Sequence, residues 1–278
     1  MYKIKELENG FKYVEVSNTT SNAKIALQGA HIFEFKRQSR KDILWLSPTS
    51  FFENGVAIRG GIPICWPRFG TLDKSMPAHG FSRTAMFKLG DIKEIDEDTT
   101  ELILFLEDDE ESRKIWDFSF RLEVIFTIGK QLSVSIKTTN TDVKEFMITQ
   151  ALHTYFSVAD ILNAKIEGLE SSPYLDTLTD KKELQNGVLI INSECDRVYK
   201  EVKNDIVLKD ENHTVSLYAK GSSSAVVWNP WIEKGSRMSG MKADAYKEFI
   251  CIETANAFDD FRVIKPQESH TLSVTLST

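Results

Sequence analysis

The sequence has no uninterrupted apolar run of the roughly 18 residues that a membrane-spanning helix requires. Its first residues also lack the apolar stretch and small-residue cleavage site of a secretory leader. We therefore expect neither a membrane anchor nor a leader.

Cysteine is scarce as well, with Cys65, Cys195 and Cys251 widely spaced and odd in number. A disulfide framework would need paired cysteines, and a thiolate metal site would need closely spaced ones. The pattern is typical of a reducing compartment. It predicts a cytoplasmic protein and no metal site.

An excess of positive charge is also missing: 41 acidic residues face 34 basic ones, for a net charge of −7. Nucleic acids and anionic lipid surfaces are bound by clustered lysines and arginines. We therefore predict neither a nucleic-acid nor a membrane partner. A small phosphate remains compatible with this charge, because two or three convergent arginines suffice to hold it.

Alternation of apolar and polar residues dominates what is present. In the segment 118–128 every even position is apolar, and after Gly129-Lys130 the same phase resumes over 132–136. Two alternating runs joined by a glycine-containing pair predict a β-hairpin with one buried face. Similar short runs occur at 24–27, 32–35, 101–106, 188–191, 214–218, 225–228, 249–252 and 271–276.

Helical periodicity is nearly absent, and we expect only short helical turns near 48–52 and 243–249. The acidic segment 107–111 is predicted to be a solvated loop, because its carboxylates lack the spacing of a calcium-binding loop. Many short strands separated by turn residues predict an all-β fold, a large two-layer antiparallel β-sandwich. With 41% hydrophobic residues, the 278-residue chain can fill one core, so we predict a single domain over 1–278.

Three segments interrupt the alternation. The first, 57–70, places the paired Gly60 and Gly61 beside Arg59 and ahead of two prolines. This composition describes a rigid loop in which the backbone can approach a ligand closely. A stiff core connection whose arginine reaches solvent explains the same residues.

The second segment, 77–83, places His79 and Arg83 four positions apart around Gly80. Together they offer a neutral hydrogen-bonding group and a fixed positive charge. A hydrogen-bonded loop histidine next to a surface arginine is an equally good interpretation.

The third segment, 149–156, contains His153 among apolar and aromatic residues, and Glu253 follows the apolar run at 249–252. A buried carboxylate costs desolvation free energy unless it is paired or functional. Burial also raises the pKa of a carboxyl group toward the range useful for a general base. A strand-end glutamate that points outward is the alternative.

Together these segments resemble the aldose 1-epimerase superfamily, specifically its hexose-6-phosphate mutarotase branch. The resemblance is carried, in order, by RGGIPICWPRFG at 59–70, PAHGFSR at 77–83, ALHTYF at 151–156 and CIETAN at 251–256. It extends by strand pattern over about 9–277. It implies a large β-sandwich known as a supersandwich, acid–base chemistry without metal or organic cofactor, and a small-molecule hexose phosphate as partner.

The resemblance implies that His153 is the general acid and Glu253 the general base in the exchange of α and β anomers, with glucose 6-phosphate the first candidate substrate. Glu253 would take the proton of the C1 hydroxyl while protonated His153 gives one to the ring oxygen. The sugar would then turn about its C1–C2 bond and close on the opposite face of the carbonyl. This assignment needs an imidazolium near neutral pH.

The resemblance also implies how the rest of the substrate is held. Arg59 and Arg83 would contact the phosphate, and His79 would hydrogen-bond the ring oxygen or a hydroxyl. Asp176 would bind a sugar hydroxyl or orient an arginine, and Gln150 would line the pocket.

Two residues have less defined roles. Arg68 is a weaker candidate for a phosphate contact. Asp244 lies in a stretch where relatives often carry further acidic residues, so no role is assigned to it.

Other functions remain compatible with the sequence. A non-catalytic carbohydrate-binding module could present Trp66, Trp228 and Trp231 as platforms, although buried tryptophans fit equally well. A mutarotase of free aldoses such as galactose, and a regulatory protein that binds another phosphate metabolite, are further alternatives. No extra apolar stripe demands a partner chain, so we expect a monomer.

Overall fold

The computed structural model describes residues 1–38, 40–71 and 74–278, and nearly all of their regular structure is β. The strands in chain order are β1 (Tyr2–Glu6), β2 (Lys12–Ser17), β3 (Ser21–Ala26), β4 (His31–Arg37), β5 (Ile64–Cys65), β6 (Lys88–Asp96), β7 (Thr99–Glu107), β8 (Phe120–Ile128), β9 (Leu132–Asn140), β10 (Phe146–Ile148), β11 (Gln150–Leu152), β12 (Tyr155–Ser157), β13 (Lys165–Glu167), β14 (Pro173–Asp176), β15 (Lys181–Leu184), β16 (Leu189–Ile190), β17 (Cys195–Tyr199), β18 (Ile206–Lys209), β19 (Thr214–Lys220), β20 (Ser224–Asn229), β21 (Phe249–Asn256), β22 (Arg262–Ile264) and β23 (Ser269–Ser277). The helices are α1 (Glu110–Ile115) and α2 (Trp231–Gly235), and 3₁₀ turns occur at Ser82–Thr84, Ala245–Lys247 and Phe258–Asp260.

Two large sheets dominate the architecture. The nine-stranded sheet has the order β16-β13-β18-β19-β23-β9-β8-β7-β6. The eight-stranded sheet has the order β15-β14-β17-β20-β21-β11-β5, and β12 also pairs with β21. Strands β1 to β4 form a separate meander, and β10 pairs with β22. The strand pairs are antiparallel throughout the described residues, which confirms the predicted all-β class.

The main core draws on the inward faces of both large sheets. Val124 and Phe126 of β8 belong to the same buried cluster as Ile250 and Ile252 of β21. All four are no more than 1% exposed. Burying a side chain of this size stabilises the fold by about 1.5–3 kcal/mol, so the period-two pattern fixes which face of each strand is inward.

The strand predictions from alternation are confirmed. The predicted hairpin is formed by β8 and β9, with Ile128 opposite Leu132. The other predicted runs correspond to β3, β4, β7, β16, β19, β20, β21 and β23.

Only Asp108 and Asp109 of the acidic segment 107–111 form a loop, so the prediction is correct for part of the segment. Glu107 ends β7, and the carboxylate of Asp109 caps α1 by accepting from the Ser112 backbone N–H at 2.7 Å. The Ser112 hydroxyl accepts in turn from the Asp109 N–H at 2.9 Å, which completes a capping box. Glu110 and Glu111 then lie in the first turn, where the helix dipole favours negative charge.

The predicted helical turns differ in outcome. The segment 243–249 contains the 3₁₀ turn Ala245–Lys247, but 48–52 contains only a turn, closed by a Ser50 N–H to Ser47 carbonyl bond of 3.0 Å. No helix among the described residues is long and apolar enough to cross a membrane. The assignment of 1–278 to one domain stays a prediction.

Gly80 marks a close backbone approach between two of the interrupting segments. Its φ is +75°, and a Cβ there would lie 2.0 Å from the Trp66 carbonyl oxygen. Gly187 has a similar φ of +65°, but a Cβ at that position would meet nothing within 4 Å. Substituting Gly187 therefore tests backbone strain alone, whereas substituting Gly80 tests the same strain together with a steric clash.

We expect Gly80→Ala to lower the free energy of unfolding by about 3 kcal/mol. Gly187→Ala should cost only about 1 kcal/mol, the price of a left-handed alanine. Urea unfolding of both variants measures the difference. Equal losses would show that the contact with Trp66 contributes nothing.

Candidate functional site

His153 lies in the two-residue break between β11 and β12, directly opposite Glu253 of β21. Both β11 and β12 pair with β21, and their shared register places His153 across from Glu253. Nε2 of His153 lies 3.4 Å from Oε1 of Glu253. An antiparallel sheet holds such a pair rigidly, because opposed side chains project on the same face.

The pair projects away from the main core. Ile250 and Ile252 of β21 enter the core between the sheets, so by alternation Glu253 points to the other face. The Glu253 side chain is nevertheless only 2% exposed, and that of His153 is 11% exposed. Both groups are therefore largely removed from water.

The imidazole of His153 is fixed by aromatic rings. The Tyr155 ring stacks on it with centroids 5.0 Å apart and an interplanar angle of 13°, and Trp228 meets it edge-on at 5.9 Å. A buried cluster of small and short side chains lies on the same sheet face and comprises Cys65, Ala151, Val198, Val226, Ala255 and Ala257. The pair thus lies between the aromatic rings of Tyr155 and Trp228 on one side and these small side chains on the other.

His79 approaches the pair from the loop that precedes Arg83. Its ring centroid lies 5.8 Å from that of His153 and 5.2 Å from that of Phe69. His79 has a φ of +63°, in the left-handed region that non-glycine residues rarely occupy. Such backbone strain clusters at functional sites.

Two arginines border the same place. Nη1 of Arg59 lies 3.5 Å from the Tyr155 hydroxyl, and Nη2 of Arg83 donates to the carbonyl of Ala78. The loop that carries Arg59 is fixed by a buried hydrogen bond, in which Nε2 of His31 lies 2.7 Å from the Gly60 carbonyl oxygen. The arginines therefore bring two permanent positive charges to the imidazoles.

Burial governs the protonation of the pair. Desolvation raises the pKa of Glu253 well above its usual value, with the charge of Asp196 adding to the rise and Arg83 opposing it. Desolvation lowers the pKa of His153 well below its usual value, helped by His79, Arg83 and Arg59. Both directions favour the proton of the pair on Glu253, which differs from the expected imidazolium.

His79 is neutral for the same reasons. Burial, Arg83 and Arg59, in that order, lower its pKa to about 3. A neutral imidazole can donate from one ring nitrogen and accept at the other. The hydrogen-bonding role of His79 stays a prediction.

Buried polar atoms without a hydrogen-bond partner converge on this face. Within the described parts of the chain they include Nε of Arg59, Nδ1 of His79, Nε of Arg83, Nδ1 of His153 and Oε2 of Glu253. Buried polar atoms are nearly always satisfied in folded proteins. Five of the eight such atoms in the described residues lie around the pair, which indicates a binding place for a polar ligand.

Asp176 and Gln150 are not brought to the pair. By register, Asp176 shares the sheet face of Arg197, which is opposite to that of Glu253. Its Oδ1 accepts from the backbone N–H groups at positions 178 and 179. Gln150 points between the sheets, where its Nε2 donates to Oδ1 of Asn256 at 3.0 Å. The alternation of side chains along each strand therefore turns both residues away from Glu253, although the charge of Asp176 adds to the effect of burial on the pKa of Asp196.

Asp196 on β17 was not among the predicted site residues, yet it shares the sheet face of Glu253. Its charge raises the pKa of Glu253, and its Oδ2 lies 3.8 Å from Nζ of Lys234. Burial raises its own pKa. The signal in the sequence is an acidic residue inside a short strand, but only the register shows which face it occupies.

Arg68 and Asp244 lie outside this group. Arg68 donates to the carbonyls of Pro67 and Met147, and the Trp66–Pro67 peptide beside it is cis. Asp244 is exposed just before the 3₁₀ turn Ala245–Lys247. The described residues contain no cluster of three or more histidine, cysteine or acidic side chains that could hold a metal ion.

Clefts elsewhere lack comparable chemistry. One is lined by Met1, Thr19 and Glu97 among others, and a second by Arg37, Lys130 and Thr278 among others. In the described residues, neither cleft includes a buried polar atom without a partner. The face around His153 and Glu253 is therefore the better candidate.

Known proteins with similar sequences belong to one enzyme family. The family model described as Aldose 1-epimerase matches residues 12–277. Among curated proteins, a "Putative glucose-6-phosphate 1-epimerase" of Escherichia coli (strain K12) is 36% identical over 262 residues, which cover 92% of this chain and 87% of that protein. A protein of the same name from Cenchrus ciliaris is 36% identical over 273 residues, covering 92% and 80% respectively.

A solved structure shows the same fold. The crystal structure of a "putative mutarotase" from Salmonella typhimurium superposes with a TM-score of 0.93 at 31% sequence identity. The match covers 99% of this chain and 92% of that chain. The predicted sandwich architecture is thereby confirmed.

The burial of Glu253 predicts a stability effect. The unfolded chain loses the glutamate proton above its ordinary pKa of 4.5, whereas the folded chain retains it until a higher pH. Stability is therefore lost as pH rises through this window. Glu253→Gln removes that loss.

We expect Glu253→Gln to raise the free energy of unfolding by about 1 kcal/mol or more at pH 7.5 and by much less at pH 4. Urea unfolding at both pH values measures the difference, with the exposed Glu145→Gln as control. A variant less stable than the wild type at pH 7.5 would contradict a strained, buried carboxyl group.

Proposed function

The chain belongs to the aldose 1-epimerase family, and from this premise we propose that it interconverts the α and β anomers of a hexose 6-phosphate, glucose 6-phosphate first. The observation that carries the proposal is the convergence of an opposed His153–Glu253 pair with two arginines on one buried face. The name of the Escherichia coli and Cenchrus ciliaris relatives supports the choice of sugar phosphate.

Ring opening uses the pair as base and acid. Ionised Glu253 takes the proton of the C1 hydroxyl, and the O–H electrons form the C1 carbonyl. The bond between C1 and the ring oxygen breaks, and that oxygen takes a proton from protonated His153. The step turns a carboxylate and an imidazolium into a carboxylic acid and a neutral imidazole, so charge balances without a covalent intermediate.

Ring closure reverses both transfers after rotation about the C1–C2 bond. Neutral His153 takes the proton back from the C5 hydroxyl, whose oxygen attacks the other face of the carbonyl. Glu253 returns its proton to the carbonyl oxygen.

The phosphate is assigned to the arginines. The Nε atoms of Arg59 and Arg83 are buried without partners in the described structure. Guanidinium groups bind phosphate oxygens in bidentate fashion. One end of the sugar is then held while C1 reorients between the faces of the carbonyl.

The sugar body is assigned to His79 and Asp196. His79 lies next to His153 and has a free ring nitrogen for a hydroxyl or the ring oxygen. Asp196 shares the face of Glu253 and accepts from a hydroxyl. We place Asp196 in the role that the sequence assigned to Asp176.

The alternatives find less support. Trp66 is fully buried and Trp228 is only 7% exposed, so neither forms an exposed platform of a binding module. A mutarotase of free aldoses leaves the two arginines unexplained. We further propose a monomer in the cytoplasm, where sugar phosphates are confined and three unpaired, buried cysteines stay reduced.

The reaction is tested by magnetization-exchange NMR at the anomeric protons of glucose 6-phosphate. We expect the protein to accelerate exchange and Glu253→Gln to lower kcat by about a thousandfold, because the base is lost. Glu145→Gln serves as the matched control and should retain full activity. No acceleration by the wild type would overturn the function, and an active Glu253→Gln would overturn only the base.

Arg59→Ala tests the phosphate contact. We expect kcat/KM for glucose 6-phosphate to fall by about thirtyfold or more, since a charge-assisted contact is lost. The value for free glucose should not fall. The exposed Arg40→Ala is the control, and parallel losses for the two sugars would remove Arg59 from the phosphate site.

Asp196→Asn and Asp176→Asn form a matched pair. We expect Asp196→Asn to raise KM for glucose 6-phosphate by about tenfold, because a hydrogen bond to a charged acceptor is weakened. Asp176→Asn should leave KM within about twofold, since its register places it on the other face. The opposite ranking would restore Asp176 as the sugar-binding residue.

A further inference from the structure

We propose that the substrate's phosphate activates the His153–Glu253 pair as well as anchoring the sugar: a dianion held by Arg59 and Arg83 brings the pair into the proton arrangement that opens the ring. The inference rests on the proposed function and deepens it. It also predicts a further activity, because a free dianion such as phosphite should then activate turnover of an aldose that carries no phosphate.

The geometry concentrates positive charge around one imidazole. Arg59 contacts the hydroxyl of Tyr155 at 3.5 Å, and the Tyr155 ring stacks on His153 at 5.0 Å. Arg83 donates to the carbonyl of the residue before His79, whose ring lies 5.8 Å from His153. Two permanent cations thus border a desolvated group that would itself become a cation on protonation.

Like charges in a place removed from water oppose each other strongly. Arg59 and Arg83 both act against protonation of His153, in the same direction as its burial. Burial and these charges therefore favour a proton on Glu253 over one on His153. Ring opening by Glu253 requires the reverse, an ionised Glu253 beside a protonated His153.

A dianion on the arginines reverses this balance. Its two negative charges offset the two guanidinium charges that act on His153. Arg59 lies against the hydroxyl of Tyr155, whose ring stacks on His153, so its charge is close to the imidazole. Neutralising Arg59 therefore favours a proton on His153, and moving the proton of the pair from Glu253 to His153 leaves the total charge of the pair unchanged.

This arrangement gives selectivity in turnover as well as in binding. A free sugar that occupies the site leaves both arginines unneutralised, so the pair stays in the wrong proton arrangement. Unphosphorylated aldoses should consequently show a low kcat even at saturation. Binding energy from the phosphate is then used at the reacting centre, remote from the phosphate itself.

The test uses D-xylose, which lacks C6 and leaves room for a separate phosphite dianion. Anomer exchange of xylose is measured by NMR at pH 7 with protein, with and without phosphite, after subtracting the exchange that phosphite causes alone. We expect phosphite to raise protein-dependent turnover by about tenfold or more. The same dianion should inhibit exchange of glucose 6-phosphate competitively.

Two variants, and the reaction of glucose 6-phosphate itself, distinguish a failure of the activator role from a failure of the proposed function. Activation should be lost in Arg59→Ala and retained in Arg40→Ala. If glucose 6-phosphate is accelerated but phosphite fails to activate xylose, the activator role is overturned and the proposed function stands. If glucose 6-phosphate itself is not accelerated, both fall together.

Nitrogen NMR of histidine-labelled protein gives a readout independent of turnover. We expect saturating phosphite to move the ring nitrogens of His153, assigned with His153→Gln, toward imidazolium values at pH 7. Arg59→Ala should show no such change. A His153 that stays neutral in phosphite-saturated wild type would overturn the proposal even if xylose turnover rose.

Discussion

Everything at the site depends on one cross-strand pair held out of water. The register of β11 and β12 against β21 sets His153 opposite Glu253, with 3.4 Å between Nε2 and Oε1. The sheet fixes this distance, since neither strand can shift by one residue without reversing every side chain. The strands on either side of His153 therefore position its side chain against that of Glu253.

The burial that makes the pair useful also makes it costly. Glu253 is 2% exposed, and its Oε2 lacks a partner in the described structure. The large core between the two sheets bears that cost, because its apolar faces supply far more stabilisation than one unsatisfied carboxyl group removes. The surrounding arginines add an electrostatic repulsion against protonation of His153, and an anionic ligand would reduce that repulsion.

Much of this was predictable from the sequence. Alternation located the longer strands, and four short motifs identified His153, Glu253, Arg59, His79 and Arg83 together. The capped helix α1 was not predicted because six residues show no period. Asp196 was missed, and the faces of Gln150 and Asp176 could not be predicted, because residue type does not reveal the sheet face. The protonation of His153 also needed the structure, since the sequence does not show two arginines beside it.

The most direct test is the crystal structure of the protein with glucose 6-phosphate. The account predicts the phosphate on Arg59 and Arg83, the C1 hydroxyl within about 3 Å of a Glu253 carboxylate oxygen, and the ring oxygen within about 3 Å of His153. A phosphate bound elsewhere, or a sugar whose C1 lies away from Glu253, would contradict it.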